Sequence, residues 1–121
     1  MRVLIVDDDA SFRKRVRELI ASEPDMDIVG EAADGQEAIF KAKALVPDLV
    51  LMDVRMPQMN GIEAAHKLNS DMPKLKIIIL TVFDMPEYRE AATACGANGF
   101  VIKKSLLEDL MPAIRQAIVD A

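Results

Sequence analysis

The chain has 121 residues, 51% of them hydrophobic and 29% charged, with a net charge of −5 and a pI near 4.8. That length suits one domain with a real core. The acidic balance argues against this segment gripping nucleic acid or an anionic membrane by itself. The single cysteine, Cys95, rules out an internal disulfide and fits a reducing compartment. No apolar run has the length of a signal peptide or a membrane span, so a cytoplasmic protein is expected.

The first apolar run, residues 3–6, ends at Asp7 and Asp8. A helical stripe of Phe12, Val16, Leu19 and Ile20 follows, with Asp9 as its expected N-cap and Pro24 beyond its end. Residues 28–30 form a weaker run between Asp27 and Glu31, which suits an edge strand. Asp34 and Glu37 have the form of a capping box ahead of Ala38, Ile39, Ala42 and Leu45. The run Leu49, Val50, Leu51, Met52 shows no alternation, so it is expected to be buried on both faces, and it ends in Asp53. Pro57 and Gly61 stiffen the turn after it, and Asn60 with Glu63 opens a helix bearing Ile62, Ala65 and Leu68.

The third strongly apolar run, residues 77–80, leads to Thr81. Asp84, Pro86 and Glu87 then open a helix bearing Tyr88, Ala91, Ala92 and Cys95. Residues 100–102 lead to Lys103, and Ser105 with Glu108 opens the last stripe, Leu107, Leu110, Ile114 and Ile118. Pro112 lies inside that stripe, so a kink is expected, or a separate first turn with the helix proper starting near Asp109. Strand and helix alternate five times, which predicts an α/β fold: a doubly wound five-stranded parallel sheet, order 2-1-3-4-5, with helices on both faces.

In that order Asp7, Asp8, Asp53, Thr81 and Lys103 all fall at carboxyl ends of strands, flanking the topological switch point. Each pair of crowded carboxylates repels by about 4 kcal/mol at ~4 Å and an effective dielectric near 20. Such a cluster calls for a hard divalent cation, Mg²⁺ above all. With an ammonium and a hydroxyl beside it, the set suits holding a phosphoryl group while a carboxylate attacks phosphorus. Blander roles are read for other residues. His66 lies outside the cluster, Cys95 reads as a small core residue, and Arg13, Lys14, Arg15 and Arg17 read as a solvated helix face.

The motifs VDD at 6–8, DVRMPQMNG at 53–61, Thr81 and GFVIKK at 99–104 resemble the receiver domain of two-component response regulators, over essentially all of residues 1–121. The loop wording most resembles the branch whose receivers precede a helix-turn-helix domain (the NarL/LuxR type). The resemblance implies a flavodoxin-like fold and a phospho-accepting switch rather than an enzyme. It implies Asp53 as acceptor, Asp7, Asp8, Asp53 and the backbone carbonyl of Arg55 around Mg²⁺, and Thr81 and Lys103 on the phosphoryl oxygens. It further implies a switch through Thr81 and Phe100, a sensor histidine kinase that meets helix 1, and a phosphorylation-dependent homodimer. Transcriptional output would then run through a domain outside this segment.

The pattern departs from the family at Lys104, where proline is common, so a cis peptide is not expected after Lys103. It departs at Val82, where a small residue is common, and Arg55 and Phe83 add bulk beside the site. A long-lived phosphorylated state is therefore expected. Three alternatives remain: a stand-alone receiver acting by protein contact, a haloacid-dehalogenase-like phosphatase and a flavodoxin-like electron carrier. The phosphatase would need Asp7, Asp8 and Asp9 as its nucleophile motif and a cap insertion that is absent. The electron carrier would need a Ser/Thr-rich phosphate loop where this one is acidic.

Overall fold

The computed structural model of the protein describes residues 1–56 and 59–119. Its strands are β1 (Arg2–Val6), β2 (Asp27–Ala32), β3 (Leu49–Asp53), β4 (Lys76–Thr81) and β5 (Gly99–Ile102). They form one parallel sheet in the order β2-β1-β3-β4-β5. The helices are α1 (Ala10–Ala21), α2 (Gly35–Leu45), α3 (Gly61–Asp71), α4 (Pro86–Ala94) and α5 (Leu106–Val119). Fold class, strand order and the edge position of β2 match the expectation.

Neighbouring side chains of a strand point to opposite faces, so a strand covered on both sides must be apolar throughout. Val3, Ile5, Leu49, Leu51, Ile78 and Leu80 join Phe12, Val16 and Ile20 of α1 and Leu110 and Ile114 of α5. Leu4, Val6, Val50, Met52, Ile77 and Ile79 join the opposite cluster, under α2, α3 and α4. There the helices offer mainly Ala38, Ala42, Ala64, Ala65 and Leu68, small enough for α2 and α3 to lie side by side.

Three of the expected caps form. Asp9 accepts the amides of Ser11 and Phe12 at 2.9 and 3.3 Å. Asp34 accepts that of Glu37 at 2.8 Å, while the Glu37 carboxylate accepts the Ala33 amide at 2.7 Å. Asn60 accepts the amide of Glu63 at 2.9 Å. Such caps contribute about 1 kcal/mol each.

Three local expectations need correction. The N-cap of α4 is Met85, which makes no side-chain cap bond, and Asp84 lies outside the helix. With Pro86 at the first helical position, one of the orphan amides of the helix start does not exist, and the fixed φ of the ring sets the first turn. The last helix begins neither at a Ser105 box nor near Asp109. A 3₁₀ turn, Lys103–Ser105, precedes it, and α5 is continuous from Leu106 to Val119 with Pro112 inside it. The missing Pro112 amide would have bonded the Glu108 carbonyl, and Glu108 faces water, which can take its place. Finally, the core stripe of α5 is Leu106, Leu110, Ile114 and Ala117, whereas Leu107 is 74% exposed.

Candidate functional site

The site lies at the carboxyl ends of β1, β3, β4 and β5. Each strand delivers one residue there as it ends: Asp7 after β1, Asp53 as the last residue of β3, Thr81 as the last of β4, Lys103 after β5. Parallel strands all end on one side of the sheet, which is why residues 96 positions apart in sequence meet. One carboxylate oxygen from each of Asp7, Asp8 and Asp53 falls within 4.8 Å of the others. Asp7 and Asp53 are buried, and Asp8 is exposed and gives the cluster its open side.

Lys103 binds both buried acids. Its Nζ donates to Asp7 Oδ2 at 2.6 Å and lies 3.2 Å from Asp53 Oδ1. The counter-charge expected from a metal is thus partly present in the protein itself. Even so, burial pushes the Asp53 carboxyl up to about 6, with Asp7 adding to the rise and Lys103 opposing it. The other oxygen of Asp7, Oδ1, accepts the amide of Asp9 at 2.8 Å, and the Asp7 carbonyl accepts from the Arg13 guanidinium.

The backbone around Asp53 is held by a glycine. The Gly61 amide donates to the Val54 carbonyl at 2.8 Å, and a Cβ on Gly61 would stand 1.7 Å from the Asp53 carbonyl oxygen. Only hydrogen fits, so the start of α3 can lie against the end of β3. Pro57, expected to stiffen this turn, lies outside the described residues.

Thr81 is buried, and its Oγ1 accepts the amide of Phe83 at 3.1 Å. Phe83 stacks on Tyr88 with ring centroids 4.9 Å apart, and the Arg55 guanidinium lies 5.3 Å above Phe83. Arg55 also lines, with Asp8, Met56 and Asn60, an open cavity of about 490 Å³ beside the acidic cluster. Val82 is 64% exposed. Phe100 stands apart from the carboxylates, half-buried against the α4 side of the sheet with the Arg89 guanidinium 4.5 Å from its ring. No cis peptide occurs among the described residues, so Lys103–Lys104 is trans.

Sequence reasoning missed the layer behind these residues. Phe12 lies under Lys103, with Nζ 4.1 Å from the ring centroid. The basic face of α1 is only partly solvated: Arg13 pairs with Glu31 at 2.9 Å and Arg17 pairs with the same carboxylate. Phe12 was visible only as a core position of the α1 stripe. Nothing in its spacing marks a lysine 91 residues further along the chain.

The donor set fits a hard divalent cation. All three candidate ligands are carboxylates, and six ligands at about 2.1 Å lie about 3–4 Å apart, so oxygens within 4.8 Å of one another need close up only slightly. His66 and Cys95, the softer ligands, are outside the cluster.

Residues 3–115 match the family model described as the response regulator receiver domain, and the chain belongs to that family. It is 44% identical over 117 residues to the "uncharacterized transcriptional regulatory protein YxjL" of Bacillus subtilis, covering 97% of this chain and 54% of that protein. The chain spans about half the length of the curated relatives it matches. Among solved structures, a LuxR-family two-component response regulator from Aurantimonas sp. SI85-9A1 superposes with a TM-score of 0.93 at 33% identity, covering 98% of this chain and 85% of that one. The CheX-CheY-BeF3-Mg+2 complex from Borrelia burgdorferi superposes with a TM-score of 0.92 at 26% identity, covering 98% and 89%. The protein is therefore a receiver domain of the response regulators, a signalling switch with transcriptional regulators among its relatives. No helix among the described residues is long and apolar enough to cross a membrane.

Proposed function

We propose that Asp53 accepts a phosphoryl group from a sensor histidine kinase in a Mg²⁺-dependent reaction. The observation that carries this reading is the Asp7, Asp8 and Asp53 cluster bridged by Lys103 at the carboxyl ends of the strands. Asp7, Asp8, Asp53 and the Arg55 backbone carbonyl would hold the Mg²⁺. Bound there, the cation neutralises phosphoryl oxygens and screens the carboxylates from one another.

The steps of the protein's own groups then follow. Above pH 6 Asp53 is mostly ionised, so an oxygen lone pair is free to attack phosphorus. An Oδ–P bond forms, the P–N bond to the kinase histidine breaks, and that imidazole leaves with the bonding pair and takes a proton. Lys103 moves from the carboxylates onto a phosphoryl oxygen, and the Thr81 hydroxyl donates to another. These shifts draw in the loops after β4 and β5 and let Phe100 turn, changing the α4–β5–α5 surface and self-association.

In this reading residues 1–121 act as one receiver unit in the cytoplasm. Output runs through a domain outside them, a reading supported by relatives of about twice the length that are transcriptional regulators. Stacked Phe83, Tyr88 and Arg55 beside the pocket support a slow loss of the phosphoryl group.

Incubation with acetyl phosphate and Mg²⁺ should add about 80 Da, stable to acid and labile to hydroxylamine. Asp53→Asn should abolish the adduct, because an amide is a poor nucleophile. An undiminished adduct on Asp53→Asn would move the acceptor elsewhere.

A further inference from the structure

We infer that Phe12 is a positioning residue for Lys103, its ring face holding the ammonium over the acidic pocket. The consequence for phosphoryl binding rests on the reading of Asp53 as acceptor; the contact itself does not. The Nζ lies 4.1 Å from the ring centroid, well inside the range of about 6 Å over which a ring quadrupole attracts a cation. Phe12 is 5% exposed and the Lys103 side chain 14%, so water screens the contact little. The ammonium thus has three neighbours: Asp7, Asp53 and the ring.

The ring is placed by the same local structure that places Asp7. Asp9 accepts the Phe12 amide at 3.3 Å, and its own amide donates to Asp7 Oδ1 at 2.8 Å. One cap therefore fixes Asp7 and Phe12 relative to each other. The two carboxylates change partners when a cation or a phosphoryl group arrives, whereas the ring does not. It keeps the ammonium in the pocket while its anionic contacts are exchanged. Leucine would fill the same core position without offering a quadrupole. The exposed Arg15 guanidinium also approaches this ring, but at 5.7 Å.

Two readouts test this. In the metal-free protein the ε-protons of Lys103 should resonate upfield of the other lysines through the ring current, and Phe12→Leu should remove that shift. Binding of beryllofluoride with Mg²⁺ should weaken about fivefold in Phe12→Leu, a loss in the range of a desolvated cation–ring contact. Phe12→Tyr should restore binding, and in a Lys103→Met background Phe12→Leu should cost nothing further. Pentafluorophenylalanine at position 12 keeps the shape and reverses the quadrupole, so it should weaken binding without unfolding the core. An equal loss in both lysine backgrounds, or full affinity with the fluorinated ring, would overturn the inference. If beryllofluoride does not bind wild type at all, the acceptor reading fails, and the Lys103 signals alone decide whether the ring holds the ammonium.

Discussion

In EDTA at neutral pH, Lys103→Met should lose on the order of 3–5 kcal/mol of stability, the usual result of removing one partner from a buried ion pair. The ammonium contacts Asp7 and Asp53 at 2.6 and 3.2 Å, and both acids are buried. Methionine keeps most of the volume, so the loss reports charge rather than a cavity. For a domain of this size it corresponds to a fall in melting temperature of about 12–20 °C. Two conditions should shrink it: acid, because Asp53 takes up a proton, and Mg²⁺, because a cation replaces the missing charge. Calorimetric melts of both proteins with EDTA and with Mg²⁺ make the comparison. A loss that Mg²⁺ leaves untouched would mean that Lys103 and the cation do not serve the same carboxylates.

The second large effect is the pH dependence of the metal-free protein. Burial, with Asp7 as the second cause, raises the Asp53 carboxyl from 3.8 to about 6 in the folded state. Below 3.8 both states are protonated and the group contributes nothing. Between 3.8 and 6 the folded state keeps a proton that the unfolded chain has lost, so stability falls as pH rises. Above 6 the full penalty stands, about 3 kcal/mol for a shift of that size. Asp53→Asn removes it, so in EDTA the variant should be more stable than wild type at pH 7 and close to it at pH 4. With Mg²⁺ at a hundred times its dissociation constant, wild type should gain about 2.7 kcal/mol, a gain that Asp53→Asn largely forfeits. Urea melts at the two pH values would measure this. A stability difference independent of pH would show that Asp53 is not titrating in the folded protein.

Much of the fold was legible because the physics at each strand is local. Runs such as Leu49 to Met52 read as doubly covered strands without reference to anything else, and their order followed from which were most apolar. The start of α5 was not legible. The stripes 107-110-114-118 and 106-110-114-117 satisfy helical spacing equally, and the 3₁₀ turn at Lys103–Ser105 chooses between them. At α4 the apparent Asp84 cap lost to Pro86, which fixes the first turn itself.

The carboxylates and Lys103 could be gathered from sequence because parallel strands deliver their ends to one edge. How Lys103 divides between Asp7 and Asp53, and what lies behind it, could not. Those contacts join α1 to the end of β5, and no periodicity connects Phe12 to Lys103. The roles proposed for Arg55 and Phe100 come from the resemblance alone, since nothing in the pattern around either residue points to one.

The most direct measurement is reductive trapping of the acceptor. An acyl phosphate is reduced by borohydride to an alcohol, so a phosphorylated aspartate becomes homoserine, which peptide mass mapping locates. After treatment with acetyl phosphate and Mg²⁺, homoserine should appear at position 53 and vanish when EDTA replaces the cation. Homoserine at position 7 or 8, or none anywhere in a protein that has gained the phosphoryl mass, would contradict the account.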